Sequence, residues 1–202
     1  MGKRWIRDRK KDHYYRKAKA EHYRSRAAFK LKQLNKKFKL MRRGDRVSDL
    51  GASPGGWIQA AREIVGEEGF VLGVDLTQIE EFPFDNVQTL EGDFTKKATL
   101  LEIKEIMPAA DVVISDASPD ISGVWNIDQF RSVELCYSVL EICEDVLKPK
   151  GNLLVKVFQG EAVSKFMAEV KDSFSYTKTT KPRASRSRSA EVYVVGKGYK
   201  KG

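Results

Sequence analysis

The sequence has 202 residues, 41% of them hydrophobic, and a formal net charge of +9 at pH 7. This length and composition suit a single globular domain and exclude a wholly disordered chain. No apolar run approaches the roughly 18 residues that a membrane-spanning helix needs, so no membrane partner is expected. The two cysteines, Cys136 and Cys143, lie in an apolar helical pattern, and no apolar segment follows the charged N-terminus. We therefore expect reduced thiols and a cytoplasmic protein.

Charge is distributed unevenly along the chain. Residues 1–46 hold 19 Lys/Arg against 4 Asp/Glu, residues 47–176 hold 10 against 23, and residues 177–202 hold 8 against 1. An acidic body thus carries two basic ends, and a nucleic acid bound by both ends would explain the pattern. Solvated, solubilising ends are the alternative, which charge alone does not exclude.

Residues 1–22 interleave basic residues with aromatic rings and are predicted to form a basic N-terminal arm, followed by one domain over 23–202. Such an arm can pair with phosphates and stack on bases, or it can be a surface helix whose rings pack on the body. Ser25 is predicted to cap a helix that Gly44 and Asp45 end. The apolar stripe of that helix consists of Ala27, Leu31, Leu34 and Phe38.

From residue 46 onward, predicted strands alternate with predicted helices. The strands are 46–50, 70–75, 87–90, 111–115, 152–158 and 191–195, and the helices are 57–65, 100–106, 132–147 and 162–174, with a turn at 149–151. This alternation indicates an α/β fold in which a mainly parallel sheet is covered by helices on both faces. Ligands in such sheets bind beyond the carboxyl ends of the strands.

The segment 49–57, DLGASPGGW, leaves a predicted strand and opens a predicted helix. Gly51, Gly55 and Gly56 permit tight turns, and the helix start offers free backbone N–H groups. The spacing is neither GxGxxG nor GxxxxGK[ST], so a nucleoside without phosphates is favoured over a dinucleotide or a nucleoside triphosphate. An ordinary strand-to-helix turn is the alternative interpretation.

Three acids follow successive predicted strands. Asp75 can accept hydrogen bonds from both ribose hydroxyls of an adenosyl group, and Asp93 can accept from an adenine amine. Asp116 carries a carboxylate to the same edge of the sheet. Each alone can equally be a helix cap or a surface acid, but the series of Gly51, Asp75 and Asp93 at consecutive strand ends favours a nucleoside site.

Lys156 lies within the apolar strand 152–158. A buried lysine costs several kcal/mol unless it is paired, so its position calls for a function or for a solvent-exposed strand end. Lys30 in the first helix and Glu191 at the start of the last strand carry little information alone.

Six segments, 25–31, 49–57, 92–94, 115–116, 155–161 and 185–194, together resemble the FtsJ/RrmJ (RlmE) family of ribosomal RNA 2′-O-methyltransferases. The resemblance covers about residues 23–198. It implies a Rossmann-like S-adenosylmethionine-dependent methyltransferase fold, mostly parallel with an antiparallel last strand. S-adenosylmethionine is then the methyl donor, no metal is expected, and RNA is the partner of a monomeric enzyme.

The resemblance also implies roles for individual residues. The catalytic set it implies is Lys30, Asp116, Lys156 and Glu191. The cofactor-binding set it implies is Gly51, Ser53, Gly55, Trp57, Asp75, Asp93 and Asp116. Lys156 either accepts the proton of the ribose hydroxyl or only orients its oxygen, and the sequence leaves both open.

The target that the resemblance implies is a uridine in the A-loop of large-subunit (23S) rRNA. The basic segment 178–188 is expected to hold RNA phosphates, and Trp125 either stacks a base or packs on the body. Methylation of a tRNA anticodon-loop ribose and RNA binding without catalysis are the alternatives. A nicotinamide-dependent oxidoreductase is disfavoured because Ser53 and Pro54 stand where its pyrophosphate loop needs a central glycine.

Overall fold

The computed structural model describes residues 12–186 and 188–200. The first eleven residues of the predicted arm lie outside this part of the chain. The strands are β1 (Arg46–Leu50), β2 (Phe70–Asp75), β3 (Val87–Glu91), β4 (Ala110–Ser115), β5 (Leu147–Phe158), β6 (Phe174–Thr180) and β7 (Glu191–Tyr199). The helices are α1 (His13–Ala20), α2 (Ala28–Phe38), α3 (Gly56–Val65), α4 (Lys97–Ile106), α5 (Trp125–Val146) and α6 (Val163–Ser173).

The described strands form one sheet in the order β3-β2-β1-β4-β5-β7-β6. Strands β1 to β5 are parallel to one another, and β7 runs antiparallel between β5 and β6. This confirms the predicted fold class, including the antiparallel last strand. The strand order reverses between β1 and β4, which is where open α/β sheets bind their ligands.

Two apolar clusters cover the two faces of the sheet. Val113 and Val155 point toward the cluster that includes residues of α4, α5 and α6, whereas Ile114 and Leu154 point toward the cluster built with α1, α2 and α3. Because strand side chains alternate between faces, neighbouring residues of one strand bury themselves in opposite layers. No helix in the described ranges is long and apolar enough to cross a membrane.

The first helix differs from its predicted limits. Helix α2 begins at Ala28 with Ala27 in the cap position, and no side chain caps it. Ser25 was predicted as the cap, but its hydroxyl instead lies against Gly56, where an added Cβ would come within 2.1 Å of it. The helix also ends earlier than predicted, because Lys39 turns into the left-handed conformation at φ 53°.

The later part of the chain shows three further differences. Helix α5 begins at Trp125, seven residues before the predicted start. The predicted turn at 149–151 lies within the long strand β5, where Lys150 has a φ of 67°. Strand β6 was not predicted, because this edge strand exposes most of its polar residues and shows no apolar alternation.

Asn35 fixes the loop that follows α2. Its side-chain oxygen accepts from the Met41 N–H at 2.8 Å, and its amide donates to the Met41 carbonyl at 3.3 Å. We expect Asn35→Ala to lower the free energy of unfolding by about 1–2 kcal/mol, because both Met41 groups lose their partner. Urea denaturation is the measurement, with the exposed Lys36→Ala on the same helix as control. Equal midpoints for the two variants would contradict this role.

Candidate active site

A cleft of about 400 Å³ lies beyond the carboxyl ends of β1, β2, β3 and β4. Gly51, Asp75, Asp93 and Asp116 all line it, together with Ser53. The structure therefore brings together the strand-end residues that the sequence predicted, at the reversal of strand order. Among the described residues, no group of three His, Cys, Asp or Glu side chains is arranged to hold a metal ion.

The loop from Gly51 to Gly55 shapes one wall of this cleft. Gly51 has a φ of +76°, and a Cβ on it would lie 2.6 Å from the Ala117 Cβ, so the backbone approach requires glycine. Gly55 also has a positive φ, and a Cβ there would lie 2.6 Å from the Phe82 ring. Gly51 and Ser53 face the cleft, whereas Gly55 is not among the residues that line it.

Trp57 lies away from the cleft. It is buried in the first turn of α3, where its indole N–H donates to the Ala27 carbonyl at 2.8 Å. Its ring is 6.0 Å from the ring of Tyr193. Trp57 thus fixes the start of α2 against the sheet, and it does not line the cavity.

Two of the cleft acids are held by backbone donors. The Asp75 carboxylate accepts from the N–H groups of Ser53 and Thr77, both at 2.9 Å. Asp93 accepts from the backbone and hydroxyl of Thr95, at 3.0 and 2.7 Å. These Thr95 hydrogen bonds place the pKa of Asp93 below its ordinary value. Asp93 therefore presents an ionised acceptor to the cleft.

The four residues predicted as catalytic converge on one point. Lys156 Nζ lies 3.3 Å from Asp116 Oδ1 and 3.8 Å from Glu191 Oε1. Lys30 Nζ lies 3.4 Å from Asp116 Oδ2 and 3.6 Å from Glu191 Oε2. Lys156 and Lys30 are only 5% and 8% exposed. Because Asp116 also lines the cleft, this cluster adjoins it directly.

Asp116 is the centre of the cluster. Burial raises its pKa, but the ammonium groups of Lys156 and Lys30 and the Tyr193 hydroxyl outweigh burial, so the pKa lies below its usual value. Lys156 also donates to the Asp116 backbone carbonyl at 2.7 Å. The carboxylate is thus ionised and holds both ammonium groups.

Tyr193 is a member of this cluster that the sequence did not reveal. Its hydroxyl donates to Asp116 Oδ1 at 2.6 Å, and its ring lies 5.6 Å from Lys30 Nζ. Burial and the neighbouring Asp116 raise the pKa of Tyr193 well above its ordinary value. One signal in the sequence could have revealed Tyr193. Strand side chains alternate between faces with a period of two, which places Tyr193 on the same face of the last strand as Glu191.

Asp49 lies in the glycine-rich segment 49–57 and is, after Tyr193, a second residue whose role the sequence did not predict. It is fully buried, and neither of its carboxylate oxygens has a hydrogen-bond partner. Burial raises its pKa well above the ordinary value, and the negative charges of Asp116 and Asp75 raise it further. A buried carboxyl without a hydrogen-bond partner is rare in folded proteins, and the charges that act on this one belong to two acids of the cleft.

A profile of FtsJ-like methyltransferases matches residues 23–199. The chain belongs to the FtsJ-like methyltransferase family. It is 53% identical over 201 residues to the Ribosomal RNA large subunit methyltransferase E of Methanothermobacter thermautotrophicus, covering 99% of this chain and 95% of that one. The protein of the same name from Methanocaldococcus jannaschii is 51% identical over 201 residues, covering 98% and 82%.

The solved structures extend this family assignment to the fold. A Plasmodium falciparum protein named as a ribosomal RNA methyltransferase superposes with a TM-score of 0.79 at 28% identity. The match covers 88% of this chain and 98% of that one. The FtsJ-like family membership therefore holds over nearly the whole chain, including β7 and the four-residue cluster.

The buried Asp49 gives a prediction with a defined sign. Its folded-state pKa lies above the unfolded one, so this group's stabilising contribution is lost as pH rises above about 4. Asp49→Asn removes that titration. The variant should gain stability relative to wild type as pH rises from 4 to 7, in ligand-free urea denaturation. The exposed Asp120→Asn is the control, and a difference that does not change with pH would contradict the prediction.

Proposed function

We propose that the chain transfers the methyl group of S-adenosylmethionine to a ribose 2′-hydroxyl of large-subunit rRNA. The A-loop uridine that the family resemblance implies is the target nucleotide. One observation carries the proposal. Two buried lysines and two carboxylates meet within 4 Å at the mouth of an acidic nucleoside cleft. The names of the relatives support rRNA over tRNA as the substrate.

The cleft fits this cofactor in both charge and shape. None of the eleven described residues that line it is Lys or Arg, so it offers no side chain suited to a pyrophosphate. The carboxylates of Asp75, Asp93 and Asp116, all of which line the cleft, suit the positive charges of a sulfonium and an α-ammonium. In this proposal Asp75 accepts from the ribose hydroxyls and Asp93 from the adenine amine. These fits favour S-adenosylmethionine over a nicotinamide dinucleotide.

Bound S-adenosylmethionine supplies a methyl group that its sulfonium has already activated. What the chain must supply is alignment of the ribose oxygen and a destination for its proton. Lys156 contacts Asp116, which lines the cleft, and three oxygens from Asp116 and Glu191 hold its ammonium. In the neutral form it accepts the hydroxyl proton, and in the charged form it orients the oxygen. When both lysines are charged, their two ammonium groups balance the two carboxylates, and when Lys156 is neutral Lys30 keeps one positive charge beside them.

The described parts of the two basic ends lie on one surface beside this cluster. Asp12, which caps α1, contacts both Arg26 and Arg186. Arg26 also donates to the Ala184 carbonyl, and Lys37 donates to the Thr180 hydroxyl at 3.2 Å. Helix α1 with its cap and the segment 180–186 therefore flank α2, which carries Lys30. This arrangement supports one continuous phosphate-binding surface next to the catalytic cluster.

The position of Trp125 also supports RNA as the substrate. Its ring stacks on Phe158 at 6.0 Å with 21° between the planes, and 46% of the residue is exposed. Phe158 is two residues beyond Lys156 on β5, so the exposed ring lies close to the catalytic cluster. An exposed indole beside a ribose-modifying site suits the stacking of an unpaired base.

Asp75→Ala should weaken S-adenosylmethionine binding by about 1–3 kcal/mol, roughly 5- to 150-fold, because two ribose hydroxyls lose a charged acceptor. Isothermal titration calorimetry measures the change. The exposed Asp85→Ala, in the segment between β2 and β3, is the matched control. Unchanged affinity in the Asp75 variant would remove Asp75 from the cofactor site.

Lys156→Ala should lower the single-turnover methylation rate by roughly 10²–10⁴-fold while cofactor affinity stays near wild type. The exposed Lys165→Ala on α6 is the control. Mass spectrometry of the product nucleosides identifies the methylated position. A near-wild-type rate for Lys156→Ala would overturn its catalytic assignment, and a methyl group on a base instead of the ribose would overturn the proposed reaction.

Lys156→Arg separates the two roles of the lysine. Arginine keeps the positive charge and can orient an oxygen, but it does not become a neutral base at usable pH. If Lys156 is the base, the arginine variant should be nearly as slow as Lys156→Ala across the pH range. Substantial activity in the arginine variant would show that the ammonium only orients the oxygen.

A further inference from the structure

A second cavity, of about 680 Å³, lies at the opposite edge of the sheet from the cleft. It is lined by residues of the loop 39–45, the β5 segment 148–152, Lys197 with Gly198, and Asp111 of β4. Strand β5 joins the two regions, since Asn152 lines this cavity and Lys156 lies in the catalytic cluster. Four strand residues separate them by about 13 Å. We call this region the distal basic cavity.

The charge of the distal basic cavity is strongly positive. Five basic and two acidic residues line it: Lys39, Arg42, Lys148, Lys150, Lys197, Asp45 and Asp111. Both acids are already engaged, Asp45 with Arg42 at 3.3 Å and Asp111 with Lys148 at 2.8 Å. Within the described ranges, neither Lys39 nor Lys150 has an ion-pair partner. A positive excess therefore remains, without an internal counter-charge.

Lys39 and Lys150 reach this cavity from unusual backbone conformations. Their φ angles are 53° and 67°, in the left-handed region that glycine and asparagine normally occupy. Holding a lysine there costs about 1–2 kcal/mol relative to the ordinary backbone conformation. Two separate segments of the chain adopt this conformation despite its energetic cost, and each presents an exposed lysine to the same cavity.

The cavity walls are tied to one another. Asn35 fixes the loop at Met41 from one side, and the Asn152 amide donates to the Leu40 carbonyl at 2.7 Å from the other. The Lys197 ammonium donates to the Phe38 carbonyl at 2.9 Å. The lysines thus project from a pre-organised frame, which reduces the entropy cost of holding an anion.

We propose that the distal basic cavity binds the phosphate backbone of an RNA segment other than the one that carries the target ribose. This inference rests on the proposed function, which makes a large folded RNA the substrate. Ammonium groups suit phosphate oxygens, and none of the described residues that line the cavity carries an aromatic ring on which a base could stack. Backbone contacts of this kind fix the orientation of an RNA without reading its sequence. The cavity therefore favours an RNA large and folded enough to reach both ends of the sheet over a short one.

The test removes the two lysine charges without disturbing the backbone. Asparagine adopts the left-handed conformation readily, so Lys39→Asn/Lys150→Asn keeps both turns. Filter binding measures how the affinity for in-vitro-transcribed large-subunit rRNA depends on the salt concentration. The slope of log K against log salt should fall by about 2, and the dissociation constant at 0.15 M salt should rise roughly tenfold or more. The single-turnover rate at saturating RNA and the cofactor affinity should not change.

Two further variants control this measurement. Lys165→Gln/Lys171→Gln removes the same charge from the exposed surface of α6 and should leave the slope nearly unchanged. Lys39→Arg/Lys150→Arg keeps both charges and should retain the wild-type slope. An unchanged slope in the asparagine variant, or an equal fall in the α6 variant, would overturn the proposal. So would a loss of binding to assembled subunits with no loss on naked rRNA, which indicates a protein contact.

Failure of this inference is distinguishable from failure of the proposed function. Ribose methylation with an unchanged salt slope would overturn the distal contact alone. A lower salt slope in a protein that methylates no ribose would overturn the proposed reaction and leave the distal contact standing.

Discussion

The structure depends on keeping two ammonium groups almost out of water. A single buried lysine costs several kcal/mol, and removing one partner of a buried ion pair commonly costs 3–5 kcal/mol. Here Asp116 and Glu191 each contact both Lys30 and Lys156, so neither ammonium depends on one carboxylate. The cluster exists only where α2, β4, β5 and β7 meet. The relative position of those four elements is therefore the constraint that the rest of the fold must satisfy.

The antiparallel strand β7 makes this meeting possible. In a parallel sheet only the carboxyl ends of strands reach the ligand-binding edge, whereas β7 reaches that edge with its first residues. Glu191 pairs with Phe158 and Tyr193 pairs with Lys156 in the β5–β7 register. The first residues of β7 thereby bring the Glu191 carboxylate and the Tyr193 phenol to the ligand-binding edge while both residues are still held by the strand pairing. Side chains held on rigid strands are positioned more accurately than side chains on loops.

The sequence predicted the parts of this site in which a residue type conflicts with its surroundings. Lys156 in an apolar strand and acids at successive strand ends were visible for that reason. Tyr193 was not, because a tyrosine in a valine-rich strand is ordinary core material until register places its hydroxyl on Asp116. Asp49 was missed because its lack of partners is a tertiary property. Strand β6 was missed because an exposed edge strand shows no alternation of apolar and polar residues. The position of Trp57 behind the loop was not predictable because it depends on how α2 packs on α3.

Charge separates the two kinds of ligand that meet at the cluster. The cleft is acidic and attracts a cation, whereas the surface of α1, α2 and the segment 178–188 is basic and attracts a polyanion. Binding at exposed lysines is screened within about 8 Å at physiological salt, while the buried contacts of the cleft are screened much less. Under the proposed function, salt should therefore release RNA more readily than the cofactor. Lys30 and Asp116 form an ion pair on the boundary between the two regions, which is where that proposal brings the acceptor oxygen and the methyl group together.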